Sequence, residues 1–186
     1  MTRDADATRA RLLASARKEF AAYGIAGARV DRIAADSLSN KAQIYHYFGS
    51  KDGLFDAVFT EMCVDTVSDV PIDAADLPGY AARLFDSYEQ RPWVQRLATW
   101  YRLERGADVD PLELVVASNK AKVAAIASAQ RAGRVADTFS AVDLLGLVLH
   151  LSGFWSSNVP EYDLLVARHS RAHRRRVVIA AVTALV

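Results

Sequence analysis

Two short helical patterns lying close together constrain this chain most. Residues 29–48 read RVDRIAADSLSNKAQIYHYF, two stretches of helical spacing on either side of a polar turn, Ser37-Leu38-Ser39. Isolated helices shorter than about 12–15 residues are marginal in water, so neither stretch stands alone. Val30, Ile33, Ala34, Ile44 and Phe48 supply an apolar inner edge that must pack on a neighbour. The preceding segment, residues 5–23, offers one: Leu12, Leu13, Ala16, Phe20 and Tyr23 recur at helical spacing, with Arg9, Arg11, Arg17 and Lys18 on the other face. A three-helix unit built on a helix–turn–helix follows. In that motif the second helix can enter the major groove of duplex DNA.

The rest of the 186-residue chain is also helical in pattern, without strand-type alternation. No proline precedes Pro71, and Pro78, Pro92, Pro111 and Pro160 then stand where helices begin or end. About nine helices are predicted, over residues 5–23, 30–37, 41–47, 51–70, 78–90, 93–106, 112–132, 139–157 and 161–184. The class is therefore all-α. Apolar residues make up 52% and charged residues 24%, which excludes a disordered chain. The lone cysteine, Cys63, excludes an internal disulfide framework and a multi-cysteine zinc site. The N-terminus has no signal-peptide pattern, and the longest apolar run, residues 177–186, is about half a membrane span, so a cytoplasmic protein without a membrane partner is expected. Net charge is +2 over residues 1–60, −5 over 61–120 and +4 over 121–186, which argues against one continuous nucleic-acid surface and leaves room for a local one.

The match becomes specific in residue types. Phe20, Gly24, Val30, Ile33, Ala34, Tyr45, His46, Tyr47, Phe48, Ser50, Lys51, Leu54 and Phe55 stand at fixed offsets. In this the chain resembles the DNA-binding domain of the TetR family of bacterial repressors. The family pattern runs from a first helix ending in Phe and Gly, through Val-x-x-Ile-Ala and Tyr-x-Tyr-Phe, to Ser-Lys and an apolar helix. Two departures stand out. Where the family has Ala-Gly-Val-Ser at the turn, this chain has Ser37-Leu38-Ser39-Asn40, so either Leu38 is strained or the turn has another shape. Arg29 stands where Thr or Ser is common, removing a helix cap and adding a cation where a phosphate can lie.

The resemblance implies a DNA surface made by Arg29, Asn40, Lys41, Gln43, Tyr45, His46, Tyr47 and Lys51. Lys41 would meet a phosphate or guanine, Tyr45 would pack its ring and offer its hydroxyl, and His46 is the most exposed ring. Tyr47 is partly core on this reading, and Phe48 is core. Asn40 is a good N-cap, and Gln43 has two open roles, the second half of a capping box or a bidentate contact to adenine. Lys51 sits unfavourably in a first helical turn, which a bound phosphate would compensate. Without the resemblance, a solvated surface is the plainer reading of these side chains.

No catalytic motif is recognised after residue 60, so an enzyme is not expected. His169 and His173 have a metal-compatible spacing but lie within five arginines in residues 168–176; a solvated helix face is expected there, with no metal and no cofactor. Residues 91–106 are rich in aromatics. Trp93, Leu97, Trp100 and Tyr101, with Phe85 and Tyr88 before them and Asn119, Val123, Ile126, His150 and Phe154 after, would form an aromatic interior if four helices packed together. Plain core explains any one of them; a small-molecule site is what the resemblance implies for the set. Residues 144–151 and 177–186 are apolar nearly all round, which predicts a homodimer burying two helices per subunit.

The expected organisation is residues 1–50 for DNA, a linking helix over 51–70 acting as a lever, and residues 51–186 for effector binding and dimerisation. The expected function is a repressor released from a palindromic operator by a small-molecule effector. The alternatives are a DNA-binding regulator with a filled core and no effector, and a helical enzyme or scaffold that keeps the fold without binding DNA.

Overall fold

The computed structural model describes residues 2–105 and 111–186. Among the described residues there are ten α-helices, one 3-10 turn and no strand. The helices are α1 Thr2–Gly27, α2 Val30–Asp36, α3 Lys41–Phe48, α4 Lys51–Asp69, α5 Leu77–Gln90, α6 Pro92–Arg105, α7 Glu113–Arg131, α8 Ala141–Gly153, α9 Pro160–Val166 and α10 Arg171–Thr183, with the 3-10 turn at Phe154–Ser156. The all-α class is as the sequence predicts. The expected end of the sixth helix at Gly106 lies outside the described residues.

The additional helix comes from a break where one helix was expected over residues 161–184. Ser170 is extended (φ −65°, ψ 157°), and its hydroxyl accepts a hydrogen bond from the His173 N–H at 3.2 Å. Such a cap contributes about 1 kcal/mol and competes with continuation of the helix. His169 thus lies ahead of α10 and His173 in its first turn, with ring centroids 4.3 Å apart.

The chain forms two compact units, Met1–Val64 with Trp93–Pro111, and Asp65–Pro92 with Leu112–Val186. The sequence reading placed one boundary near residue 50. By compactness, the chain changes unit inside α4 and contributes α6 to the first unit.

In the first unit, Leu12, Ala16, Phe20, Ile33, Ile44, Leu54, Phe55 and Leu97 are fully or almost fully buried. Phe20 meets Phe55 edge to face at 5.2 Å between centroids. Burying one such ring contributes about 2–3 kcal/mol. Tyr101 of α6 stacks on Phe59 at 4.3 Å, and the Arg17 guanidinium lies 4.5 Å from the Trp93 ring centre. Arg105 reaches α4, donating to the Asp56 carboxylate at 2.8 Å. Glu104 accepts a hydrogen bond from the Ala26 N–H at 2.7 Å, so α6 caps an amide near the end of α1. That end is kinked at Gly24, where φ is +73°. A Cβ there would lie 2.8 Å from Cε3 of Trp100, so both the conformation and the close approach require glycine.

The second unit is held by α5, which packs on α8 and α10, with α7 against α8. Tyr80, Leu84, Phe85, Ile126, Leu144, Val148 and Val182 are among its most buried side chains. The arginine-rich start of α10 is more than the solvated face expected. Arg171 and Arg175 both pair with Asp86 of α5, the latter at 2.8 Å, and Arg174 pairs with Glu89 at 2.9 Å.

Candidate nucleic-acid interface

The helix–turn–helix is shaped by its ends. α2 stops in a Schellman arrangement: the Ser39 N–H donates to the Ala34 carbonyl at 2.9 Å and the Leu38 N–H to the Ala35 carbonyl at 3.2 Å. Glycine commonly fills the left-handed position of this motif. Here Leu38 occupies it at φ +53° with 87% of its surface exposed, so the first of the two alternatives is the one that forms. The conformation costs about 1–2 kcal/mol for a residue with a Cβ. Asn40 then starts α3. Its side chain accepts from the Gln43 N–H at 2.9 Å, and the Gln43 side-chain oxygen accepts from the Asn40 N–H at 3.1 Å. The capping-box role of Gln43 is therefore realised in this state. With its oxygen so engaged, a bidentate contact to adenine would require the cap to open.

The faces of α3 separate cleanly. Ile44 is fully buried, while Lys41, Tyr45 and His46 are exposed, Tyr45 to 49%. Tyr47 is half-buried with its ring against His46 at 5.3 Å. Phe48 is also only half-buried, correcting the expectation that it is core; the Arg9 guanidinium covers its ring at 5.6 Å. Lys41 forms an ion pair with Asp31 of α2 at 2.6 Å. The hydrogen bond and charge of Asp31 raise the Lys41 pKa above its ordinary value.

Arg29 is exposed at the N-terminal end of α2 and gives that helix no side-chain cap. Its backbone N–H donates instead to Glu19 of α1 at 2.9 Å, and the same oxygen accepts from Arg32 Nε at 2.8 Å. Sequence reasoning missed Glu19. The available signal was a carboxylate on α1 placed to meet an uncapped helix start. The Lys51 ammonium donates to the carbonyls of Ala26 and Ala28, each at 3.3 Å. These acceptors explain a lysine in the first turn of α4 without a phosphate, and leave one of its three donors for DNA.

The residues expected to line an effector chamber do not share one unit. Trp93, Leu97, Trp100 and Tyr101 belong to the first unit; Phe85, Tyr88, Asn119, Val123, Ile126, His150 and Phe154 belong to the second. Within the second, Phe85, Tyr88 and Ile126 are buried and Val123 half-buried, but Asn119, His150 and Phe154 are exposed. Among the clefts of that unit, one of about 330 Å³, open to solvent, is lined by Trp155, Asn158, Asp163, Val166, His169 and Arg174 among others. Among the described residues, no group of three or more His, Cys, Asp or Glu side chains is placed to hold a metal ion. No helix among them is long and apolar enough to cross a membrane.

Residues 12–58 match the family model described as bacterial regulatory proteins of the tetR family. Residues 76–183 match the model of the tetracyclin repressor-like C-terminal domain. The chain is 40% identical over 160 residues to the HTH-type transcriptional repressor SCO4008 of Streptomyces coelicolor, covering 86% of this chain and 83% of that protein. It is 35% identical over 103 residues to the HTH-type transcriptional repressor NicS of Pseudomonas putida, covering 51% of this chain and 49% of that one. Among solved structures, the putative transcriptional regulator SCO4942 of Streptomyces coelicolor superposes with a TM-score of 0.84 at 37% identity, covering 94% of this chain and 96% of that one. With an outward-facing α3 and matches over both parts of its length, the chain belongs to the TetR family and is a DNA-binding transcriptional regulator.

Proposed function

We propose that this protein is a repressor that binds a palindromic operator as a homodimer and leaves it when a small molecule binds the second unit. The observation that carries the DNA reading is the outer face of α3, where Lys41, Tyr45 and His46 are exposed around a fully buried Ile44. Lys41 and His46 meet base edges or phosphates, and Tyr45 and Tyr47 meet the backbone. Arg29 and the remaining donor of Lys51 hold flanking phosphates, while Asn40 and Gln43 fix the start of the helix. The protein works in the cytoplasm, where the DNA is, and does no chemistry on its ligand.

The homodimer is supported by apolar side chains that the second unit leaves in solvent, among them Val142 (64% exposed), Leu164 (79%) and Leu165 (76%). A symmetric partner is a simple cover for exposed apolar side chains of this kind. The effector reading is supported by the open cleft beside Trp155, whose volume of about 330 Å³ is in the range of small-molecule sites. A ligand there releases DNA only by binding the DNA-competent state less well than its alternative.

Selection of bound duplexes from a random pool, followed by anisotropy titration at rising salt, tests the reading. A palindromic consensus with affinity falling steeply in salt is expected. Failure to enrich any sequence, or binding indifferent to salt, would overturn it.

A further inference from the structure

Asp31 is the feature that the operator-binding reading leaves unexplained. It is a carboxylate on the surface that should face polyanionic DNA, 71% exposed, and it pairs with Lys41, 55% exposed, at 2.6 Å. A surface ion pair of this kind adds little to stability, so folding gives it only the modest reason that a carboxylate in the first turn of α2 favours the helix dipole, worth about 0.3–1 kcal/mol. Its position gives another: it fixes the ammonium at the first residue of α3.

We propose that Asp31 is a specificity-determining residue that restrains Lys41 from phosphates and directs it to base edges; this rests on the DNA-binding reading above. A lysine ammonium has three donors. With one given to Asp31, two remain for the O6 and N7 acceptors of a guanine, so on a matched site the pair persists and costs nothing extra. On unmatched DNA, Lys41 could gain only by swinging to a phosphate. That movement breaks the ion pair and leaves the Asp31 carboxylate uncompensated beside the phosphate charge. Asp31 therefore penalises non-specific binding more than operator binding, a repulsive element that sets a ratio and not an affinity.

The test uses the full-length protein with Asp31→Asn, Lys41→Met and the double variant, on a pool-selected duplex and on a scrambled duplex of equal length. Asp31→Asn should raise affinity for the scrambled duplex about fivefold and steepen its salt dependence by about 0.9 in log–log slope, one more counterion released. Affinity for the selected duplex should change less than twofold, so the specificity ratio falls. In the Lys41→Met background the same Asp31→Asn change should leave the scrambled-duplex slope unaltered. The proposal is overturned if Asp31→Asn alone leaves slope and ratio unchanged, or if it acts equally with and without Lys41, which would make Asp31 a bulk surface charge. NMR titration of the Lys41 side chain without DNA gives an independent readout. Its pKa should fall toward the ordinary lysine value in Asp31→Asn; an unmoved pKa would overturn the restraint itself. Failure of the wild-type protein to bind either duplex would instead sink the DNA-binding reading on which the proposal stands.

Discussion

The start of α3 and the start of α10 both look basic in sequence, and the structure uses them in opposite ways. Residues 168–176 hold five arginines, whereas α3 has one lysine and one histidine. Yet three of the arginines close ion pairs onto Asp86 and Glu89 of α5 and so fix α10 within its own unit. Lys41 shares its charge with Asp31, but both remain exposed on the outer surface. Density of positive charge along the chain is thus a poor guide to a nucleic-acid surface. What matters is whether the fold itself supplies partly buried acceptors for the cations.

That contrast can be broken by substitution at either site. The largest effect is expected for Lys41→Ala combined with His46→Ala. Loss of two contacts of about 1–3 kcal/mol each should weaken binding to a selected duplex by about a hundredfold or more, with thermal stability unchanged. Anisotropy titration and a melting curve check the two halves. Asp86→Ala should do the reverse. Removing the acceptor shared by Arg171 and Arg175 should cost about 1–2 kcal/mol of stability by urea melting, discounted because both arginines are partly exposed, while the folded protein keeps its DNA affinity.

The helix caps sharpen the comparison further. Asn40 and Ser170 start α3 and α10 in the same manner. Asn40→Ala should cost about 1 kcal/mol and also weaken DNA binding, because it loosens the first turn that carries Lys41. Ser170→Ala should cost a similar amount without touching DNA affinity. The smallest effect, and a gain, is expected at the turn: Leu38→Gly should add about 0.5–1 kcal/mol, since relief of the left-handed strain outweighs the extra freedom of the unfolded chain. Chemical denaturation resolves each of these.

Local signals carried far in this sequence, and long-range ones did not. The capping box at Asn40 and Gln43 and a strained Leu38 as one of two alternatives were both readable, because they depend on residues within a few positions of one another. The outward face of α3 was readable from its periodicity. The placement of α6 was not. Its aromatic stripe fits any apolar groove equally well, and what assigns it to the first unit is pairing at a distance, Tyr101 on Phe59, Arg105 on Asp56 and Glu104 on the Ala26 amide. The break before α10 was missed for a different reason. No proline or glycine interrupts residues 161–184, and Ser170 looks ordinary until its hydroxyl is seen accepting the His173 amide. Glu19 and Asp31 escaped notice because a carboxylate on a helix face reads as solvated until its partner is known.

The central claim is that the outer face of α3 reads duplex DNA, twice per assembly. Hydroxyl-radical footprinting of the wild-type protein on a pool-selected duplex tests it most directly, with the Lys41→Ala, His46→Ala variant as control. Two protected patches related by a twofold axis, both lost in the variant, are expected. A single patch, or protection that survives the loss of both side chains, would contradict the account.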